Sequence, residues 1–199
     1  MSRLPPTDVR ERILEATYEC IARDGIAETS LEAAARAAGV SRATLYRYFP
    51  GGREELVGEV ITWETMRFFG RLAEAVADAP DLESLLVNGI VFAHHSIETH
   101  EVLQRILGNE PELLAPQLGV DTPRIMSLVK SFFITRLGEY QLQGGRFQDG
   151  LSLDAAADYC ARMTLSFIAS PGRWDLDDRE QVSGLVRSEI LAGVLASGS

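Results

Sequence analysis

The chain is expected to fold as an all-α protein, and three observations say so. No segment sustains the period-two alternation of apolar and polar residues that marks a half-buried strand. Stretches with apolar residues at helical spacing follow one another from Val9 almost to the C-terminal end. All eight prolines fall between those stretches, where they punctuate rather than kink. The pattern implies about nine helices.

The first helix is expected from about Val9 to Arg23, with Val9, Ile13, Ala16, Thr17 and Cys20 along its buried stripe. Asp24-Gly25 stops it, glycine serving as the C-terminal cap. A second helix follows from Ser30 to Ala38, and Thr29-x-x-Glu32 has the form of a capping box. Gly39 suits a bend because it tolerates positive φ, and Ser41 can cap a third helix running to Tyr48. Leu45 and Phe49, spaced i, i+4, form its inner side. After Pro50-Gly51-Gly52 a long helix is expected from Arg53 to Asp78, then Leu82 to Glu98, then a short Glu101 to Gly108. Thr122-Pro123 reads as the opening of a helix that ends at Gly144-Gly145. The last two are expected over Asp154–Ser170 and Arg179–Ala196, the final one capped by Asp178-x-x-Gln181. A small N-terminal domain, 1–52, and a larger one, 53–199, are the expected division, with the fourth helix shared.

Composition narrows the class. With 46% apolar and 24% charged residues in 199, this is an ordinary globular chain able to bury a core. Cys20 and Cys160 sit in apolar helical patterns at no zinc spacing and read as reduced, buried thiols. The start, MSRLPPTD, lacks the apolar core of a signal peptide, and no run approaches the ~18 apolar residues of a membrane span. A cytoplasmic protein with no membrane partner is expected.

The charge is distributed unevenly. Net charge is −10 overall, but residues 33–53 hold four arginines and no acid, while 1–32 carry −3 and 54–199 carry −11. Binding depends on the local field at a patch, so an acidic whole does not exclude nucleic acid; it would repel DNA from every face but one. The bend and caps in this window make a helix-turn-helix, with Arg42, Thr44, Tyr46 and Arg47 on the outside of the second helix, as major-groove reading requires.

The N-terminal 55 or so residues closely resemble the TetR family of bacterial transcriptional regulators. The resemblance is carried by Ile13-Leu14-x-Ala16, Gly25, Thr29-Ser30-Leu31, Ala38-Gly39-Val40-Ser41, Thr44-Leu45-Tyr46-x-Tyr48-Phe49 and Glu54-x-Leu56. Beyond them only the architecture is similar, a helical bundle of the expected length. Pro50-Gly51-Gly52 departs from the pattern by one added residue, and Ala34 stands where many members have a larger aliphatic side chain. The resemblance implies a homodimer that occludes a promoter and a small-molecule pocket in the C-terminal domain.

Each side chain of the window then has an expected role. Arg42 either forks a guanine edge or holds a phosphate; Thr44 touches a thymine methyl or a phosphate, and Ala43 allows close approach. Ser41 is a cap first and a phosphate donor second. Tyr46 and Tyr48 match phosphate-binding positions of the family, with core packing the alternative for one of them. Arg47 and Arg53 suit backbone contacts, Arg36 is either such a contact or a solvated residue, and Arg3 can reach a minor groove.

The expected partners are double-stranded DNA with a palindromic operator, a second copy and a small effector. Tyr159, Met163, Phe167, Val182, Leu185, Val186 and Ile190 are the candidate dimer interface, the first three on a helix apolar nearly all round. Trp63, Met66, Arg67, Phe92, His95, Met126, Phe133 and Met163 are the candidate effector pocket, favouring a largely apolar or aromatic ligand. An enzyme is the rival class. His94, His95 and His100 cluster, and His94-x-x-x-Glu98 shares a helix face, but no third ligand and no nucleophile elbow accompany them, so no metal, cofactor or catalysis is expected. A regulator without an effector, and a purely structural dimer, are the remaining readings.

Overall fold

The computed structural model describes residues 9–109 and 111–196, with side chains described for all of these but 111–122 and 124; Arg3 lies outside the described residues. Among them the chain forms α1 (Val9–Asp24), α2 (Leu31–Ala37), α3 (Arg42–Tyr48), α4 (Gly52–Val76), α5 (Leu82–Glu98), α6 (Glu101–Asn109), α7 (Pro111–Leu142), α8 (Leu153–Ala169) and α9 (Arg179–Leu185). There is no strand among the described residues, only an isolated bridge between Phe147 and Leu195. The protein is all-α, and no helix among the described residues is long and apolar enough to cross a membrane. Two compact units divide the chain: residues 1–69 with 100–120, and 70–99 with 121–199.

The first unit is held by Ile13, Leu14, Ile21, Ala34, Leu45, Phe49, Leu56 and Val60, with Ile106 of α6 in the same cluster. Thr17 is fully buried on α1 and donates its hydroxyl to the Ile13 carbonyl at 2.7 Å, so its polarity costs little there. Gly25, at φ +91°, closes α1 by donating to the Ile21 carbonyl at 2.9 Å. Arg105 of α6 donates to the Ala22 and Arg23 carbonyls at 2.7 and 2.9 Å, occupying acceptors the helix end leaves open. The cap of α2 differs from the capping box read from sequence. Thr29 is buried and turns its hydroxyl back to the Gly25 carbonyl at 2.7 Å, and Ser30 caps instead, accepting from Ala33 N at 3.1 Å.

The second unit packs α5, the C-terminal part of α7, α8 and α9 around Leu86, Ile90, Phe133, Leu137, Ala157, Cys160 and Leu185. Two expectations fail in it. Pro116 and Pro123 do not punctuate: α7 runs as one helix from Pro111 to Leu142, with no start at Thr122-Pro123. Proline removes a donor, but its φ near −65° is itself helical, so the chain can carry on past it. Nor does a regular helix reach Ala196. After α9 the backbone widens into a π turn over Val186–Ile190 and tightens into a 3₁₀ turn over Leu191–Gly193. The Tyr159 hydroxyl donates to the Glu189 carbonyl at 2.8 Å, giving that turn a partner outside its own ladder. A side chain at Gly193 would meet the same ring, its Cβ lying 2.7 Å from the hydroxyl.

Candidate nucleic-acid interface

Two local devices set α3. Gly39, at φ +64°, ends α2 with paired bonds, Gly39 N to the Arg36 carbonyl at 3.2 Å and Val40 N to the Ala35 carbonyl at 3.0 Å. A side chain with Cβ would be strained at this φ, although nothing lies within 4 Å of where that Cβ would stand. Ser41 then caps α3, accepting from Thr44 N at 3.0 Å, while the two hydroxyls of Ser41 and Thr44 share a 2.9 Å hydrogen bond. Leu45 and Phe49, at 0% and 1% exposure, pin the inner side to the core.

The rest of α3 faces out. Arg42, Ala43, Tyr46 and Arg47 are exposed, Thr44 and Tyr48 are half-buried, and Arg36 is exposed on α2. The outer cations lie on rings: Arg42 is 5.5 Å from the Tyr46 ring centre and Arg47 is 5.2 Å from that of Tyr48. Tyr48 also packs against the core cluster, so it serves the inner side as well as the outer. The Arg42 Nη1 is 2.7 Å from a carboxylate oxygen of Glu32 on α2, and its Nη2 is 3.5 Å from the Tyr46 hydroxyl. The Tyr46 contact, then Glu32, raise the Arg42 guanidinium above its ordinary range. Sequence reasoning gave Glu32 only a capping role and not a pairing with Arg42, because it lies one residue before the acid-free window. Its signal was in the helical geometry, where α2 returns beside α3.

Arg53 has a placement the spacing did not suggest. Its Nε donates to the Thr29 carbonyl at 2.8 Å and its Nη2 to the carbonyls of Ile26 and, at 3.2 Å, Ala27. The side chain therefore straps the start of α4 to the α1–α2 loop. Gly51 N donates to the Glu55 carboxylate at 2.6 Å across the same turn. Arg12 and Arg10 were also missed. Arg12 donates to the Ala38 carbonyl at 3.1 Å, and Arg10 pairs with Glu59 while lying 5.7 Å from the Phe49 ring centre.

The candidate pocket residues fall in both units. Trp63, Met66 and Arg67 are on α4 in the first, Arg67 stacking 4.5 Å over Trp63 and Met66 exposed. Phe92, His95, Met126, Phe133 and Met163 are in the second, where Phe133 is core, Met126 and Met163 pack against it, and His95 is exposed. Thr164, which the sequence reading passed over, buries its hydroxyl without a hydrogen-bond partner among the described residues.

The dimer candidates need a correction. Val182, Leu185, Val186 and Ile190 are at 0% exposure within a single chain, so they have no surface left to offer a partner. They are the chain's own core. Tyr159, Met163 and Phe167 are half-buried. The histidines have local partners: His94 is 3.5 Å from Asp177, and His100 accepts from Leu103 N at 3.0 Å and lies 3.7 Å from Glu64. No group of three His, Cys, Asp or Glu among the described residues could hold a metal ion.

Comparison with known proteins agrees with this geometry. Residues 13–60 match the family model of bacterial regulatory proteins, tetR family, a span that runs from the core of α1 to the first turns of α4. An uncharacterized HTH-type transcriptional regulator of Mycobacterium tuberculosis is 28% identical over 186 residues, covering 88% of this chain and 82% of the relative. Among solved structures, the TetR family repressor AlkX from Dietzia, implicated in biodegradation of n-alkanes, is similar with TM-score 0.61 and 24% identity, covering 94% of each chain. SmeT, in its complex with triclosan, is similar with TM-score 0.56 and 18% identity, over 96% of this chain and 94% of that one.

Proposed function

We propose that this chain, whose residues 13–60 match the tetR family of bacterial regulatory proteins, is a cytoplasmic repressor of that family. It binds a palindromic operator as a homodimer and leaves it when a small apolar or aromatic ligand binds. Residues 1–52 are its DNA-binding domain and 53–199 its ligand-binding and dimerisation domain. The observation that carries the reading is the two-sidedness of α3: Leu45 and Phe49 inside, Arg42, Tyr46 and Arg47 outside, in a window without acids.

On DNA, Arg42 forks a guanine, Thr44 and Ala43 approach the bases, and Ser41, Tyr46, Arg47, Tyr48 and Arg36 hold the backbone. Arg53 commits Nε and Nη2 to its own loop, which leaves Nη1 for a phosphate. Selection of bound duplexes from a random pool tests this directly. One duplex family should be enriched, and Arg42→Ala should lose about 1–3 kcal/mol of preference for it over a scrambled duplex. Equal affinity of the intact protein for both would refute the reading.

The second copy docks through the outer side of α8, with Met163 and Phe167 as its apolar surface and Tyr159 beside them. Light scattering at micromolar concentration should give a dimer, and a monomer would refute it. For the effector, support comes from SmeT, whose complex holds triclosan, and from the methionine and phenylalanine side chains around Phe133. The unpartnered Thr164 hydroxyl suits a polar group on such a ligand. The test is a panel of apolar and aromatic compounds scored for a raised Tm and release of the enriched duplex.

A further inference from the structure

We infer that Glu32 is a specificity-determining residue of the DNA site: it biases Arg42 away from phosphates and toward a base edge. The inference rests on the DNA-binding reading above. Three contacts define where the Arg42 guanidinium sits: the Glu32 carboxylate at 2.7 Å, the Tyr46 hydroxyl at 3.5 Å and the Tyr46 ring at 5.5 Å. Glu32 comes from α2 and Tyr46 from α3 itself, so the arginine is held between two helices rather than swinging from one. An arginine has five N–H donors in a planar fork, and a single carboxylate oxygen on Nη1 does not exhaust them.

The two fates of Arg42 on DNA are therefore unequal. A phosphate seeking the same guanidinium arrives beside an existing carboxylate, and the two anions repel at short range. The edge of a guanine is neutral, and its O6 and N7 accept the remaining donors with no such penalty. Both partners of the pair are exposed, at 61% and 51% of their side chains, so the effect is modest and sensitive to salt. A modest effect is enough here. Non-specific binding is made of phosphate contacts, and an arginine kept off phosphate lowers that background without lowering base readout.

The experiment measures Kd for two duplexes, the one enriched by selection and a random-sequence duplex of the same length, across a salt series. Four proteins are compared: wild type, Glu32→Gln, Arg42→Ala and the double variant. Glu32→Gln should bind the random duplex about three- to tenfold more tightly, and its log–log salt slope there should steepen by about 1, the value of one added phosphate contact. Affinity for the selected duplex should change less, so the selected-to-random ratio falls. In the Arg42→Ala background the same substitution should do nothing. An unchanged salt slope on random DNA, or an equal effect of Glu32→Gln with Arg42 absent, overturns the inference. A larger loss on the selected duplex than on the random one overturns it too, because Glu32 would then be reading a base itself. If wild type prefers the selected duplex and Glu32→Gln matches it throughout, only the role of Glu32 falls. If wild type shows no preference, the DNA-binding reading falls with it.

Discussion

The cations of residues 33–53 and those of the second unit are handled differently. In the second unit Lys130, Arg136, Arg162, Arg173 and Arg187 each face a carboxylate, Asp154, Glu139, Asp158, Glu189 and Glu83 in turn. Between residues 33 and 53 of the first, Arg47 lies on a tyrosine ring and Arg53 on carbonyls, while Arg42 borrows a carboxylate from outside the window. Rings and carbonyls hold a guanidinium without cancelling its charge. The first arrangement makes a locally neutral surface in an acidic protein, and the second keeps a positive field on one side of α2 and α3. The same residue type is structural in one place and electrostatic in the other, according to what sits across from it.

The contrast can be broken most severely at Leu45. With no exposed surface, Leu45→Ala should cost about 2–5 kcal/mol in urea unfolding and abolish duplex binding, since the outer arginines depend on the inner side for their position. Unchanged binding would mean that α3 is held by something other than its apolar side. Arg53→Ala comes next. If its strap to the α1–α2 loop is its main work, stability should fall by about 1–3 kcal/mol. The salt slope of DNA binding should flatten by about 1 as the Nη1 phosphate contact is lost with it, whereas a flattened slope at unchanged stability would leave Arg53 the phosphate role alone.

Ser41→Ala should cost about 1 kcal/mol through the lost cap of α3, and Ser41→Gly only a few tenths, read from the thermal midpoint. The smallest effect is expected where charge is matched by charge. Arg187, then Ser183, hold the Glu83 carboxyl below its ordinary 4.5. A carboxyl depressed in the folded state adds stability above its unfolded pKa and loses it as pH falls through the folded one. Glu83→Gln should therefore lower stability by less than about 1 kcal/mol at neutral pH, and the gap to wild type should close as pH falls below about 4.5. A gap that persists in acid would assign the loss to packing.

How much was legible follows from the range of each signal. Gly25, Gly39 and Ser41 act on their own neighbours, and the pair Leu45 and Phe49 needs only one turn of helix, so these roles could be read along the chain. Glu32 is ten positions from Arg42, and Arg53 is 24 from Thr29. Those pairings exist only once α2, α3 and α4 have packed together. The apolar pattern of Val182, Leu185, Val186 and Ile190 reads from sequence as a dimer interface, but apolarity does not say which surface covers it. Their own chain does.

The sequence by itself determined the all-α class, the helix-turn-helix with its bend and its Ser41 cap, and the acid-free window that gives the DNA side its charge. These depend on local backbone preference, side-chain period and counted charge, all of which are properties of neighbouring residues. Only the tertiary structure decided that Arg53 straps a loop, that α7 runs through Pro116 and Pro123, and that the last helix loosens around Tyr159. It also decided that Arg42 lies against a carboxylate of α2. In each of these cases the deciding partner is distant in the chain or the competing local signal is weak, and packing energy outweighs it.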